Sequence, residues 1–354
     1  MFKACQRLLS CALCLAALLS QPALAATKPT FKIAWSIYAG WMPWDFAQQS
    51  GILKKWADKY GINIQFVQVN DYIESVNQYT AGGFDGCTMT NMDALTLPAT
   101  GGVDSTALIV GDYSNGNDGI MLKGAGDVKS LKGQSINLVQ LSVSEYLLAR
   151  ALEKSGMTEK DVTVVNTADA DLVAAFGTPA VKSIVTWNPL LAEAKKQPDS
   201  HEIFSSAQIP GEILDLLVVN STTLKAHPEL GKALTGAWYD TLNAMKGNGP
   251  EALKARSFMA QESGTDLKGF DDQLAATYLF STPKQALDFM KGPQIKTTMQ
   301  SVAEFSFKHG LLGEGAPDAT TVGITTPSGN WGNPSNQKLH FTDTFVKLAA
   351  ANKL

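Results

Sequence analysis

The stretch FKIAWSIYAGWMPWDFAQQSGILKKWADKYGINIQFVQV, residues 31–69, reads as a strand, a helical segment and a second strand in succession. Phe31 to Ser36 is rich in strand-forming residues, and Trp44 to Tyr60 has the apolar spacing of a helix that Gly61 ends. Residues 62–69 alternate apolar and polar side chains, as a half-buried strand does. Strands that alternate with helices over short connections predict a parallel sheet with helices on both faces.

The same alternation continues to Val110 and starts again after Gly133. Beyond an apolar strand predicted at 213–219, the pattern is almost entirely helical. We therefore expect an α/β chain of two lobes, each a mostly parallel sheet flanked by helices, with a helical C-terminal region. Lobe 1 is predicted at residues 26–119 and 218–354, lobe 2 at residues 120–217, and the two hinge crossings near residues 119–124 and 214–217.

The first 25 residues have the features of a secretory signal peptide. Lys3 and Arg7 precede the apolar run Leu8 to Leu19, and Ala23 and Ala25 form a small-residue cleavage site. The run is shorter than the ~20 apolar residues of a spanning helix, which argues against an uncleaved membrane anchor. The sequence therefore predicts a cleavable signal peptide at residues 1–25 and a periplasmic location.

Removal of the signal peptide changes the composition in informative ways. It leaves Cys87 as the only cysteine, so no intramolecular disulfide can form. The peptide holds two of the 29 basic residues and none of the 33 acidic ones, so the mature chain carries a net charge of −6. That charge argues against nucleic acid or an anionic membrane as partner. Arg150 and Arg256 are the only arginines left, although arginine is the usual ligand of oxyanions.

Ligands of parallel α/β sheets bind at the carboxyl ends of the strands. The loops predicted there contain three tryptophans, two tyrosines and many carboxylates, but no lysine or arginine. The candidate ligand-binding residues are Tyr38, Trp41, Trp44, Asp45, Thr88, Asn91, Asp93, Asp112, Ser142, Ser144, Glu145 and Trp187. Several also have a purely structural explanation, as core packing (Trp44), helix caps (Asp93, Ser142, Ser144), an Asx-turn (Asp112) or a partner of the helix dipole (Glu145).

This set of side chains favours a planar cation. Aromatic faces offer cation–π contacts worth about 0.5–2 kcal/mol each. Carboxylates accept paired N–H donors, and a buried carboxylate without a cation is costly. We therefore expect guanidinium first, and urea or another neutral amide second. The alternative is an anion such as nitrate, bicarbonate or a sulfonate such as taurine, held by helix N-termini and hydroxyls.

An enzyme and a metalloprotein are the competing classes. The four histidines (His201, His227, His309 and His340) lie outside the candidate loops, and no hydrolase, zinc-protease or phosphate-loop motif is present. The stretch from Asp112 to Gly119 resembles a calcium loop in composition, but Gly116 breaks the ligand spacing. We therefore expect no enzymatic activity, no cofactor and no metal, with a secreted enzyme as the remote alternative.

Short motifs along the whole mature chain resemble the periplasmic solute-binding proteins of nitrate, sulfonate and taurine ABC importers. They are, in order, YAGWMPW at 38–44, SGILKK at 50–55, AGGFDG at 81–86, LLVVN at 216–220 and PEL at 228–230. Two further strings, WMPWD at 41–45 and CTMTNMD at 87–93, resemble the branch found beside urea or guanidine carboxylase genes.

The resemblance implies a two-lobed, type II-like binding-protein fold in which hinge closure captures a small solute between the lobes. It also implies a monomer whose partners are the importer's membrane permease and ATPase. A pyrimidine-synthesising relative of this group has clustered cysteines, whereas Cys87 is alone here.

Overall fold

The computed structural model describes residues 27–354, so the predicted signal peptide lies outside the described residues. Residues 27–354 form thirteen strands: β1 (Thr30–Trp35), β2 (Asn63–Gln68), β3 (Gly86–Thr90), β4 (Ser105–Ser114), β5 (Asp118–Lys123), β6 (Ser135–Leu138), β7 (Thr163–Asn166), β8 (Ser183–Trp187), β9 (Ser200–Ser205), β10 (Leu214–Asn220), β11 (Thr277–Leu279), β12 (Gly323–Thr325) and β13 (Gln337–Phe341).

The same part of the chain forms fourteen α-helices: α1 (Met42–Gln49), α2 (Ile52–Lys59), α3 (Tyr72–Thr80), α4 (Asn91–Ala94), α5 (Val143–Lys154), α6 (Asp169–Phe176), α7 (Leu190–Ala194), α8 (Ser221–Ala226), α9 (Pro228–Ala244), α10 (Pro250–Glu262), α11 (Leu267–Ala275), α12 (Pro283–Lys291), α13 (Gln294–Lys308) and α14 (Thr344–Ala350). A π-helical turn, Leu95–Ala99, extends α4, and short 3₁₀ turns occur at Val128–Leu131, Glu159–Asp161 and Ser206–Gln208. No helix within residues 27–354 is long and apolar enough to cross a membrane.

The strands divide between two sheets, each of which forms the centre of one lobe. The large lobe contains an eight-stranded sheet in the order β12-β13-β4-β10-β3-β1-β2, with β11 paired to β4. The small lobe contains a five-stranded sheet in the order β7-β6-β8-β5-β9, against which α5, α6 and α7 pack. The α/β class and the two-lobed organisation expected from the sequence are confirmed.

Both sheets are mixed, but most strands in each run in the same direction, as expected from the sequence. β1, β2 and β3 are parallel to one another, but β10 runs antiparallel to both β3 and β4. In the small sheet, β5 runs antiparallel to β8 and β9. Two of the reversed strands, β5 and β10, enter their sheet directly from the other lobe, and the third, β11, is a short strand antiparallel to the end of β4.

The chain passes between the lobes twice. The first passage, Asn115–Asn117, joins β4 to β5, and the second lies in residues 206–213 between β9 and β10. Both passages therefore lie a few residues before the hinge positions expected from the sequence. The predicted lobe boundaries at 119/120 and 217/218 stay a prediction.

Three elements differ from those expected, each for a local reason. The helix expected at 44–60 is two helices, because Gly51 adopts φ +82° between them. Residues 111–114, which read as a Gly/Asp loop, instead extend β4 to Ser114. The helix expected at 270–279 ends at Ala275, and Thr277–Leu279 pairs with β4 as β11.

The apolar run ILDLLVV, residues 213–219, forms most of strand β10. It lies in the middle of the large sheet between β3 and β4, and its residues 214–219 are all buried. A strand covered on both faces needs apolar side chains at successive positions. Asp215 breaks this pattern, since it is only 4% exposed within the run. A carboxylate in that position calls for a functional explanation.

Candidate functional site

A small enclosed cavity lies where the two lobes meet. Its volume is about 20 Å³, and room for one water needs roughly 10–15 Å³ on the same measure. The cavity therefore suits a solute of only a few heavy atoms. Its lining residues are Tyr38, Trp41, Tyr72, Thr90, Asp118, Val143, Trp187, Ile213 and Asp215.

Four aromatic rings from both lobes form a continuous wall. Trp41 lies edge-on to Tyr38 at 5.1 Å between ring centroids and 5.6 Å from Tyr72. Tyr72 in turn meets Trp187 of the small lobe at 6.1 Å in a T-shaped arrangement. The loop of residues 36–41, between β1 and α1, supplies Tyr38 and Trp41, and the indole Nε1 of Trp41 is buried without a hydrogen-bond partner.

A group of three buried aspartates lies on the crossing strands. Asp112 of β4 and Asp215 of β10 are directly opposed across the antiparallel pair, and Asp118 begins β5. Tyr38 Oη donates to Asp112 Oδ1 at 3.4 Å, and Ser114 Oγ donates to Asp118. The second oxygens of Asp112 and Asp215, both Oδ2, are buried and receive no N–H or hydroxyl donor in the structure, but the two adjacent carboxyls can share a proton.

Burial of these carboxyls raises their pKa values strongly. Desolvation raises the pKa of Asp112 to about 7 and that of Asp118 to about 6. Desolvation, with repulsion from Asp112, raises the pKa of Asp215 well above its ordinary value. The loop before α1 approaches this group closely, because a Cβ at Gly40 would lie only 2.5 Å from Asp112 Oδ2. Position 40 thus requires glycine.

A fourth buried carboxylate, Asp93, lies behind Tyr72 and Thr90. Tyr72 Oη donates to Asp93 Oδ2, and Thr90 Oγ1 donates to the same oxygen at 2.7 Å. Its other oxygen, Oδ1, is buried without a partner. Desolvation raises the pKa of Asp93 to about 6, although both hydrogen bonds oppose the rise. Asp93 therefore orients two residues of the cavity wall and keeps an unused acceptor.

The cavity combines many acceptors with little positive charge. Its lining, within the described part of the chain, includes no lysine, arginine or histidine. Asp118 and Asp215 line the cavity and Asp93 and Asp112 lie directly behind it, and an ionised carboxylate buried in this way is destabilising unless a cation or strong donors approach it. Such an arrangement can bind a small molecule that carries positive charge and several N–H groups.

Helix α5 begins beside the cavity, where Val143 is part of the lining. Ser142 is the N-cap, since its Oγ accepts from Ser144 N at 3.1 Å and donates to Val139 O at 2.7 Å. Ser144 Oγ is buried without a partner. Glu145 accepts from Leu141 N at 2.6 Å and lies near His309 rather than in the cavity wall.

The structure places four other candidate residues away from the cavity lining. Trp44 stacks on Phe66 and Trp238 in the core of the large lobe. The remaining three residues are buried in the large lobe. Asp45 accepts a long 3.5 Å hydrogen bond from Gln49, and Thr88 lies in β3. The side-chain amide of Asn91 donates to Glu212 O and accepts from Leu214 N. Among the other candidates, Tyr38, Trp41 and Trp187 line the cavity, and Asp93 and Asp112 contact its wall.

The sequence interpretation missed six lining residues, which are Tyr72, Thr90, Asp118, Val143, Ile213 and Asp215. A usable signal existed for one of them, because Asp215 interrupts an otherwise apolar strand. Tyr72 carried no such signal, since it follows the helix N-cap Asp71 and reads as an ordinary helical residue.

Replacing Trp44 should separate stability from binding. Because Trp44 is 1% exposed and stacked on two rings, we expect Trp44→Ala to lower the free energy of unfolding by about 3–5 kcal/mol. Solute affinity of the folded fraction should stay within about threefold, below the 1.4 kcal/mol that a tenfold change represents. Thermal unfolding and calorimetric titration below the melting temperature measure the two effects. A large loss of affinity in a folded Trp44→Phe protein would instead place this ring in the binding site.

Two α/β lobes joined by two chain passages, with a small cavity where they meet, define the periplasmic-binding-protein fold. The chain belongs to the NMT1/THI5-like family, whose model matches residues 47–252, more than half of its length. No curated protein sequence matches the chain significantly.

Solved structures give the same fold. The alkanesulfonate-binding protein SsuA from Xanthomonas axonopodis pv. citri, bound to MOPS, is 17% identical, with a TM-score of 0.65 over 82% of this chain and 96% of that one. SsuA from Escherichia coli is 15% identical, with a TM-score of 0.65 over 81% and 94%. The nitrate-binding protein NrtA from Synechocystis PCC 6803 is 13% identical, with a TM-score of 0.65 over 92% and 89%. These identities establish a shared fold, and none of the comparisons bears on a urea or guanidine branch.

Proposed function

We propose that the protein is the periplasmic solute-binding component of an ABC importer and captures a small, planar, nitrogen-rich solute, guanidinium in the first place. The observation that carries the proposal is the concentration of buried carboxyls, with Asp118 and Asp215 in the lining and Asp93 and Asp112 directly behind it, around an aromatic cavity whose described lining has no basic side chain. A cation with several N–H groups satisfies these acceptors and neutralises their charge.

The aromatic wall supports the same ligand. A planar cation between Trp41, Tyr72 and Trp187 gains cation–π contacts of about 0.5–2 kcal/mol each, more when water is excluded. The cavity volume of about 20 Å³ also favours a solute of few heavy atoms. A larger sulfonate needs a wider cleft than this structure presents.

Urea is the second ligand of the same class. The buried Nε1 of Trp41 is a donor without an acceptor, and the carbonyl oxygen of urea supplies one, which guanidinium cannot. The buried carboxyls of Asp93, Asp112, Asp118 and Asp215 outnumber this single donor, however. The balance of charge therefore favours guanidinium over a neutral amide.

A small anion is the second candidate function, supported by a separate observation. The twelve-residue helix α5 begins at the cavity with Val143, and Ser144 Oγ is buried nearby without a partner. A helix N-terminus and a free hydroxyl are ordinary anion ligands. The sulfonate- and nitrate-binding proteins that share the fold fit this candidate. The buried aspartates oppose it, since they repel an anion unless they are protonated.

The ligand class can be tested by calorimetric titration of the mature protein with guanidinium, urea, nitrate and taurine at pH 8. We expect guanidinium to bind most tightly, urea more weakly, and the two anions without detectable heat, because Asp93, Asp112 and Asp118, whose pKa values are raised to about 6 to 7, are ionised at this pH. Asp93→Asn should weaken guanidinium binding. Asp45→Asn, which alters a buried aspartate that neither lines the cavity nor bonds a lining residue, should not. Tight nitrate or taurine binding would reject the cationic ligand while leaving the importer role intact.

The remaining features of this role follow from the fold. Hinge movement at the two passages between the lobes would open and close the cavity. The closed lobes would present their joint surface to a membrane permease, whose ATPase drives uptake. We propose that the mature protein acts as a monomer without a cofactor and without catalytic activity.

A further inference from the structure

A second group of ligating side chains lies outside the solute cavity, at another contact between the lobes. Glu145 belongs to the first turn of α5, Glu159 to the 3₁₀ turn that follows this helix, and His309 ends α13 of the large lobe. One ligand atom from each lies within 4.8 Å of the other two. Within residues 27–354, this is the one such cluster of three.

The three side chains are held in place by their surroundings. His309 Nε2 is 2.9 Å from Glu159 Oε2, and the imidazole stacks on Phe305 at 4.2 Å. Phe305 packs edge-on against Tyr146 of α5 at 5.2 Å, so the ring stack joins the two lobes. Glu145 is 4% exposed, and a backbone N–H of Leu141 fixes one of its oxygens.

We propose that Glu145, Glu159 and His309 form a binding site for a divalent metal ion of the zinc type, which links the small lobe to the large lobe. Zinc takes imidazole nitrogen and carboxylate oxygen at about 2.0–2.2 Å, which sets the ligand atoms roughly 3.3–3.5 Å apart in a tetrahedron. To reach this geometry, the distance between His309 Nε2 and Glu159 Oε2 needs to increase by a few tenths of an ångström. The ligand oxygen of Glu145 needs to move towards these two atoms by about 1.5 Å at most. A water completes the fourth position.

The ligand types select the class of ion. One imidazole and two carboxylates suit zinc and similar transition ions, whereas calcium and magnesium prefer six or more oxygen ligands. The ion would neutralise two carboxylates that face each other across a partly buried space. Because its ligands come from both lobes, it would hold them together on the side of α5 that lies away from Val143 and the solute cavity.

The test is calorimetric titration of the tag-free mature protein, stripped with a chelator, with Zn²⁺ and separately with Ca²⁺. We expect one Zn²⁺ per chain and no comparable Ca²⁺ binding. Loss of a residue that only hydrogen-bonds a metal ligand costs about 10–100-fold in metal affinity. Loss of a ligand itself should cost at least as much. We therefore expect each of His309→Gln, Glu145→Gln and Glu159→Gln to weaken Zn²⁺ binding by at least that factor. Co²⁺ should give the visible absorption of a four-coordinate ion in the wild type only.

His227 provides a matched control. Its Nδ1 is 2.8 Å from Glu229 Oε1, so it forms the same kind of pair without belonging to a three-residue cluster. His227→Gln should leave Zn²⁺ affinity unchanged. Absence of Zn²⁺ binding by the wild type, equal binding by the three cluster variants, or an equal loss in His227→Gln would each overturn the proposal. If His309→Gln melts early, the two Glu→Gln variants decide, because they retain the size of the side chain.

Discussion

Asp215→Asn should abolish most of the affinity for guanidinium while leaving the ligand-free protein folded. Asp215 lines the cavity from the centre of the large sheet, and one of its oxygens has no partner. Removing one member of a buried, hydrogen-bonded charge pair typically costs about 2–5 kcal/mol, which is roughly 30- to 5,000-fold in Kd. Calorimetric titration at pH 8 measures this loss.

The stability of the same variant supplies the control. Without ligand, Asp215 is a buried acid next to Asp112, and the two repel each other once both are ionised. Asp215→Asn removes that repulsion and keeps the shape of the side chain, so its melting temperature at pH 8 should equal or exceed that of the wild type. Wild-type affinity in this variant would show that Asp215 does not contact the solute. A lower melting temperature together with weak binding would mean that Asp215 supports the sheet instead.

Guanidinium affinity should rise steeply with pH. The pKa values of Asp93 and Asp118 are raised to about 6 and that of Asp112 to about 7, so these carboxyls hold protons in the empty cavity at pH 5. A cation binds the ionised forms, and each proton that must leave changes affinity up to about tenfold per pH unit. We expect at least about a hundredfold gain between pH 5 and pH 7. Nitrate would show the opposite trend, since protonated acids repel it least.

The free energy of unfolding of the ligand-free protein should fall as pH rises. A carboxyl whose pKa is higher in the folded state binds more protons there than in the unfolded chain, so its contribution is fully present below about pH 4 and is lost as pH rises through 6 to 7. For Asp93 the change from 3.8 to about 6 corresponds to about 3 kcal/mol. Thermal melts of the wild type and of Asp93→Asn across pH 4–8 measure this, because their difference isolates one carboxyl from the rest of the chain. A difference in melting temperature that does not vary with pH would contradict the raised pKa.

The fold could be predicted from the sequence where local periodicity decides it. Strand and helix patterns in residues 31–110 and 135–196 placed the two α/β lobes correctly, since burial of a strand or of one helix face requires those spacings. Strand direction was harder to predict. The sequences of β5 and β10 do not show that each strand enters its sheet from the other lobe. This connection between the lobes is what makes both sheets mixed.

The site was predictable only in part, for a related reason. The excess of aromatic and acidic residues at strand ends identified Tyr38, Trp41 and Trp187 as candidates, and all three line the cavity. Trp44, three residues after Trp41, points into the core instead, because the first turn of α1 turns it towards Phe66 and Trp238. Asp215 faces Asp112 through pairing between residues about a hundred positions apart, which a reading of local sequence does not reveal.

A crystal structure of the mature protein with guanidinium at pH 8 tests the central claim most directly. The account predicts planar density in the cavity, flanked by the face of Trp41, with nitrogens within hydrogen-bond distance of Asp215 and of at least one of Asp112 and Asp93. An empty or water-filled cavity at saturating guanidinium, or an anion held there by the N-terminus of α5 while the aspartates turn away, would contradict it.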